Sequence, residues 1–153
     1  MTITDGRKEL IEIAEQMYKD SVNLESIKKI DLENLFEIRH ELNGTQYDVI
    51  FAFGILYHLS NPREVIGELA NYCKNIFLME AIVGSFAGVG QIVSERQDYN
   101  QALKLGSRIS VMEMVSTMKM YFEYVYFPIQ PVHSDFSNLL EGTFPARIFL
   151  RSE

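Results

Sequence analysis

The sequence predicts an α/β fold of three layers, helices on both faces of a mostly parallel sheet, closed by an antiparallel strand pair at the C-terminal end. Three observations carry that expectation. Short strand-like runs alternate with helically patterned segments along most of the chain. Two runs, Tyr47 to Gly54 and Ile76 to Val83, are almost continuously apolar, which is how a parallel strand covered on both faces reads. The last two runs, Tyr121 to Phe127 and Ala146 to Arg151, have no helical pattern between them and therefore call for an antiparallel return.

The elements follow in order. Ile3 between threonines makes a short strand. Asp5-Gly6 then signals the start of a helix over Arg7 to Tyr18, with Leu10, Ile11, Ala14, Met17 and Tyr18 on one side. Residues 24–30 alternate in period two and end at Asp31, a strand pattern, and a helix over Leu32 to Leu42 stops at Asn43-Gly44. After the strand Tyr47 to Gly54, Asn61 stands as N-cap, Pro62 at the first helical position and Glu64 at the capping-box position, ahead of Val65, Ile66, Leu69, Ala70 and Cys73. Ile76 to Val83 is the next strand. The glycine-spaced GSFAGVG and the polar SERQDYNQALK follow without a strand signal, the latter with some helical character. Ser110 and Glu113 form a second capping-box pair, opening a helix with Val111, Met114, Val115 and Met118 inward.

With 153 residues the chain is the length of one domain, and no linker or repeat divides residues 1–153. Hydrophobic residues at 47% and charged residues at 23% argue against disorder and against a coiled coil. No apolar run is long enough to span a bilayer and no leader pattern opens the chain, so a cytoplasmic protein is expected, with no membrane contact. Fourteen basic against 21 acidic residues, a net charge of −7, come with no basic patch, which disfavours a nucleic-acid footprint and favours a small molecule or a protein as partner. The single Cys73 excludes an internal disulfide.

In open α/β sheets ligands bind beyond the C-terminal strand ends. Asp5, Asp31, the Gly54 to His58 group and Glu80 all fall there. Asp5 reads either as a helix cap or as a carboxylate that accepts two ribose hydroxyls, and Asp31 as a turn residue or the same. Glu80 interrupts the run IFLMEAIV, so its carboxylate serves either a core hydrogen bond or a site. His58, just past a buried strand and just before a helix, is better placed for a site than for packing.

DVIFAFGILYHLSNPREVIGEL followed by NIFLMEAIV resembles the region after the fourth strand, and the fifth strand, of class I S-adenosylmethionine-dependent methyltransferases, a Rossmann-like fold. TITDGRKELIEIA is similar to their second strand, KKIDLENL to the end of the third, and RISVMEMVSTMKMYFEYVYFPIQPVHSDF to the late helix, sixth strand and a His-x-Asp-Phe segment of one branch. The resemblance implies S-adenosylmethionine as cofactor: Asp5 on the ribose, Asp31 and Leu32 at adenine, Phe53 and Gly54 along the methionine end. It sets Tyr57 and His58 against the transferred methyl and the acceptor, a small molecule or a modified RNA, with Glu80, His133 and Asp135 on the acceptor side. His58 would act as base or as a positioning group.

The chain opens where that family's second strand begins, without a first strand and its glycine-rich turn. It is therefore expected to be the C-terminal portion of a longer enzyme, with weak cofactor binding on its own. The alternative is an inactive methyltransferase-like module that pairs with a second copy or a larger subunit through an exposed sheet edge. A dinucleotide loop at Gly84, Gly88 and Gly90 is a weak reading, since no acidic strand end follows at the required distance and no Tyr-x-x-x-Lys pair exists. His58, His133, Asp135 and Glu80 lack metal-ligand spacing, so no metal is expected.

Overall fold

The computed structural model describes residues 1–84, 87–94, 105–126 and 145–151, the last stretch by its backbone alone. The chain divides into two compact units, Met1–Gly44 and Thr45–Glu153.

In the first unit, β1 (Thr2–Asp5) and β2 (Ser26–Lys29) pair in parallel, Thr2 opposite Ser26 and Asp5 opposite Lys29. Between them runs α1 (Lys8–Tyr18), and α2 (Leu35–Leu42) follows. Asn34 caps α2 by accepting the Glu37 N–H at 3.3 Å, and Asn43 ends it in the left-handed region with its N–H on the Arg39 carbonyl. Ile11, Ile30, Ile38 and Leu42 are buried, whereas Leu10, Met17 and Tyr18, expected to face inward from α1, are exposed.

The second unit begins with β3 (Tyr47–Phe53), a single 3-10 turn at Leu56–His58, and α3 (Pro62–Ala70). β4 (Cys73–Ile82) pairs with β3 in parallel, Phe53 opposite Glu80. β5 (Gln91–Ser94) and β6 (Leu105–Arg108) form an antiparallel pair, then come α4 (Val111–Lys119), β7 (Tyr124–Tyr126) and β8 (Pro145–Arg151). The main sheet runs β3-β4-β8-β7, the last strand entering antiparallel between β4 and β7. The expected antiparallel C-terminal pair is therefore present.

The core of this unit lies on one face of that sheet. Ala52, Phe77, Met79 and Ala81 alternate inward and are buried, as are Val65 and Ile66 of α3 and Met114 and Met118 of α4. Phe122 closes the layer, its ring 5.6 Å from that of Phe77. Burial of each such side chain contributes about 1.5–3 kcal/mol of transfer free energy, which outweighs the ordering entropy of the side chain itself.

Several expectations are corrected. The strands lie in three sheets among the described residues, not in one, because β1 and β3 each have a strand partner on one side only. β3 is not covered on both faces: Val49, Phe51 and Phe53 are 39%, 67% and 48% exposed. β5 and β6 were not expected, since QIVS and LGSR are too short and polar to stand out by periodicity. Asn61 occupies the N-cap position of α3 but makes no side-chain cap, while the Ser110–Glu113 capping box forms with both arms. No helix among the described residues is long and apolar enough to cross a membrane.

Candidate functional site

In the first unit the two acids stand on neighbouring strand ends, linked through the Ile30 N–H, which bonds the Asp5 carbonyl at 3.0 Å. Asp5 is not a helix cap. Its Oδ1 accepts the Arg7 backbone N–H at 2.8 Å and Nε at 3.0 Å, and its Oδ2 accepts Nη2 at 3.1 Å. Partial burial alone would raise the Asp5 pKa, but the Arg7 hydrogen bonds and charge outweigh it and hold the carboxyl below its ordinary value. Asp31 takes the turn role, accepting the Glu33 N–H at 3.0 Å, while its own N–H bonds Glu37. Leu32 follows directly, half-buried.

In the second unit the end of β3 is built by one residue that needs no Cβ and two that anchor. Gly54 sits at φ +67°, a conformation L side chains rarely adopt, and bonds the Glu80 carbonyl at 3.2 Å. The chain then turns at Leu56–His58, where His58 N–H bonds the Ile55 carbonyl and Leu59 N–H that of Leu56. Leu56 and Leu59 are buried, which leaves Tyr57 and His58 part-exposed between them. The Tyr57 and His58 rings lie 4.1 Å apart, tilted by 53°. A Cβ on Gly54 would meet Tyr57 Oη at 3.7 Å, so the phenol reaches back over the glycine. Phe53, Gly54, Tyr57, His58 and Glu80 are thus brought to one end of β3 and β4. His133 and Asp135 lie outside the described residues.

Arg108 was not expected here. Its guanidinium donates to the Tyr57 carbonyl at 3.2 Å and lies 5.5 Å from the Tyr57 ring centroid, fastening β6 to the turn. Glu113 is the second unforeseen group. Beyond its capping role, Oε2 accepts the Gly90 N–H at 2.7 Å, and the carboxylate pairs with Arg63 of α3. The capping box was legible in the sequence, yet nothing there linked it to Arg63 or Gly90. Gly84 N–H meanwhile bonds the Ile109 carbonyl and Ser110 Oγ donates to the Gly88 carbonyl, so the glycines buttress α4 instead of cradling a phosphate. Among the described residues no three His, Cys, Asp or Glu side chains gather as a metal site.

These arrangements were compared with known proteins. The N-terminal domain of EvdMO1 with SAH bound superposes with a TM-score of 0.75 over 99% of this chain at 14% identity. The chain shares its fold with methyltransferases. Magnesium protoporphyrin IX methyltransferase (ChlM) from Synechocystis PCC 6803 with bound SAM gives a TM-score of 0.59 over 99% of the chain at 9% identity. The [4+2]-cyclase SpnF gives 0.59 over 83% at 15%. At such identities the likeness is one of fold, and the cyclase shows that the fold does not dictate the reaction. The chain spans 64% of the EvdMO1 domain, 59% of ChlM and 44% of SpnF. No family model and no curated protein matches the sequence.

Proposed function

We propose that this chain is part of an enzyme that transfers the methyl group of S-adenosylmethionine to a small-molecule or RNA-type acceptor. The observation that carries the reading is the fold likeness over 99% of the chain to a domain crystallised with SAH. The residues fit the cofactor. A carboxylate offers about four acceptor positions, and Arg7 uses three of those of Asp5, which leaves room for a ribose hydroxyl on a group already ionised and oriented. In this reading Asp5 holds the ribose, Asp31 and Leu32 the adenine, and Phe53 and Gly54 the methionine end, where the absence of a Cβ at Gly54 lets a ligand approach the backbone closely.

When bound, the cofactor supplies an electrophilic methyl on a sulfonium. What remains for the protein is alignment and proton handling. Tyr57 and His58 position the acceptor, and the His58 imidazole accepts a proton where the acceptor nucleophile must lose one. Arg108 holds the Tyr57 backbone and ring in place. Glu80, His133 and Asp135 are assigned to the acceptor side.

Isothermal titration with SAH tests the reading. Saturable binding that Asp5→Asn weakens at least about tenfold, the cost of a hydrogen bond to a charged group, is expected. Absence of binding at millimolar SAH overturns it for this chain. A second reading, a module that docks a protein through β3, is favoured by one observation: β3 has a strand partner on β4 only and carries exposed Val49, Phe51 and Phe53. Light scattering separates the two, because a monomer that binds SAH has no need of the second.

A further inference from the structure

A cavity of about 160 Å³ lies two residues beyond His58, where Ser60, Asn61 and Arg63 at the start of α3 meet Gln91 of β5, Ser107 of β6 and Glu113 of α4. Its groups are mostly donors. The first turn of a helix has backbone N–H groups without intrahelical acceptors, and at α3 the Asn61 side chain does not cap them. Arg63 adds a guanidinium, whose five N–H donors exceed what the Glu113 pair can use. Glu113 is already committed to Arg63, the Gly90 N–H and the Ser110 N–H.

Ser107 supplies the second, independent sign of a ligand. It is only 6% exposed, lines the cavity, and its Oγ is the one buried side-chain oxygen or nitrogen without a hydrogen-bond partner among the described residues. A buried hydroxyl left unmatched is a cost to the fold that a bound group would remove. The next residue, Arg108, is bonded to the Tyr57 carbonyl, so the cavity is mechanically continuous with the Tyr57–His58 turn.

The geometry points to a carboxylate-binding subsite: the cavity holds the carboxylate of a small acceptor, between the N-terminus of α3, Arg63 and the Ser107 hydroxyl, while the remainder of the acceptor extends toward Tyr57 and His58. A singly charged planar group suits the guanidinium fork. A phosphate dianion suits it less, because Glu113 sits in the same wall. The assignment of the acceptor deepens the methyl-transfer reading and rests on it, but the subsite itself does not.

The test is therefore made without cofactor. Benzoate, its neutral isostere benzamide, and inorganic phosphate are titrated into the intact chain, followed by amide chemical shifts. Benzoate should bind in the millimolar range and shift residues 60–64, 91 and 107, and benzamide should bind at least about tenfold more weakly. Ser107→Ala should weaken benzoate about fivefold and, because the hydroxyl has no partner to lose, should leave the urea midpoint unchanged or raise it. Arg63→Gln should weaken benzoate more than benzamide. Equal binding of benzamide, tighter binding of phosphate, shifts at other residues only, or a Ser107→Ala variant that loses stability would each overturn the subsite. Benzoate binding without any SAH binding would uphold the subsite and sink the methyl-transfer reading, and the reverse result would do the opposite.

Discussion

Replacing Glu113 with alanine removes three interactions at once, and their sizes can be worked from the geometry. The side chain is only 12% exposed. Its Oε2 bond to the Gly90 N–H, at 2.7 Å, is charge-assisted and contributes about 1.5–3 kcal/mol. Its return arm to the Ser110 N–H, at 3.4 Å, is the weaker half of the capping box and contributes about 0.5 kcal/mol. Arg63 is half-exposed, so its pair with Glu113 contributes at most about 1 kcal/mol. Glu113→Ala should therefore cost about 2–4 kcal/mol, lowering the urea midpoint by roughly 1–2 M at an ordinary denaturant slope. Glu113→Gln keeps one acceptor for Gly90 and should cost about half as much. A Cβ on Gly90 would come within 2.8 Å of Oε2, so Gly90→Ala disturbs the same contact, and combining it with Glu113→Ala should add little. A midpoint within about 0.3 M of the parent for Glu113→Ala would place the side chain among ordinary surface positions and refute the clamp.

Gly54→Ala should cost about 1–2 kcal/mol through the backbone alone, since φ is +67° while the nearest atom to the new Cβ, at 3.7 Å, is at ordinary contact distance; thermal unfolding checks it. Arg7→Ala should raise the carboxyl midpoint of Asp5, followed by carbon-detected NMR, toward or above its ordinary value of 3.8. Because the folded-state pKa is depressed, the stability that Arg7 provides is present above the unfolded value and is lost as pH falls through the folded one, so parent and variant should converge in acid. Phe77→Ala should cost about 3–5 kcal/mol, whereas Phe51→Ser on the opposite face should cost under about 1 kcal/mol; equal losses in urea melts would show that both faces are covered.

The alternation of elements was legible because each rests on local chemistry. The Asn43-Gly44 stop, the Ser110–Glu113 box and the alternation of β4 act within a few residues of themselves. The same holds for the Tyr57–His58 turn, where LYHL puts two apolar anchors around two polar side chains. What was not legible depends on partners far along the chain. Arg108 reaches Tyr57 across 51 residues, Glu113 reaches Arg63 across 50, and β5 and β6 stabilise each other through pairing that neither segment announces. Asp5 was misread between cap and ligand because its closest partner, Arg7, could equally have pointed away.

β3 shows a conflict between levels. Seven residues of YDVIFAF carry the composition of a strand buried on both sides, and cross-strand packing accounts for only one of them: Ala52 is buried beside Met79, while Val49, Phe51 and Phe53 line the other face in the open. Three large apolar side chains on an unpaired edge strand invite association, and β3 has neither a proline nor an inward charge to prevent it. Phe51 and Phe53 instead meet edge to face at 5.7 Å, a contact that hides part of each ring from water. A sequence so apolar is consistent only with a face that is covered when the protein works. The proposed cofactor assignment gives Phe53 such a cover on one side and the docking reading gives it on the other, so the exposure of this single residue, measured with and without SAH, discriminates between them.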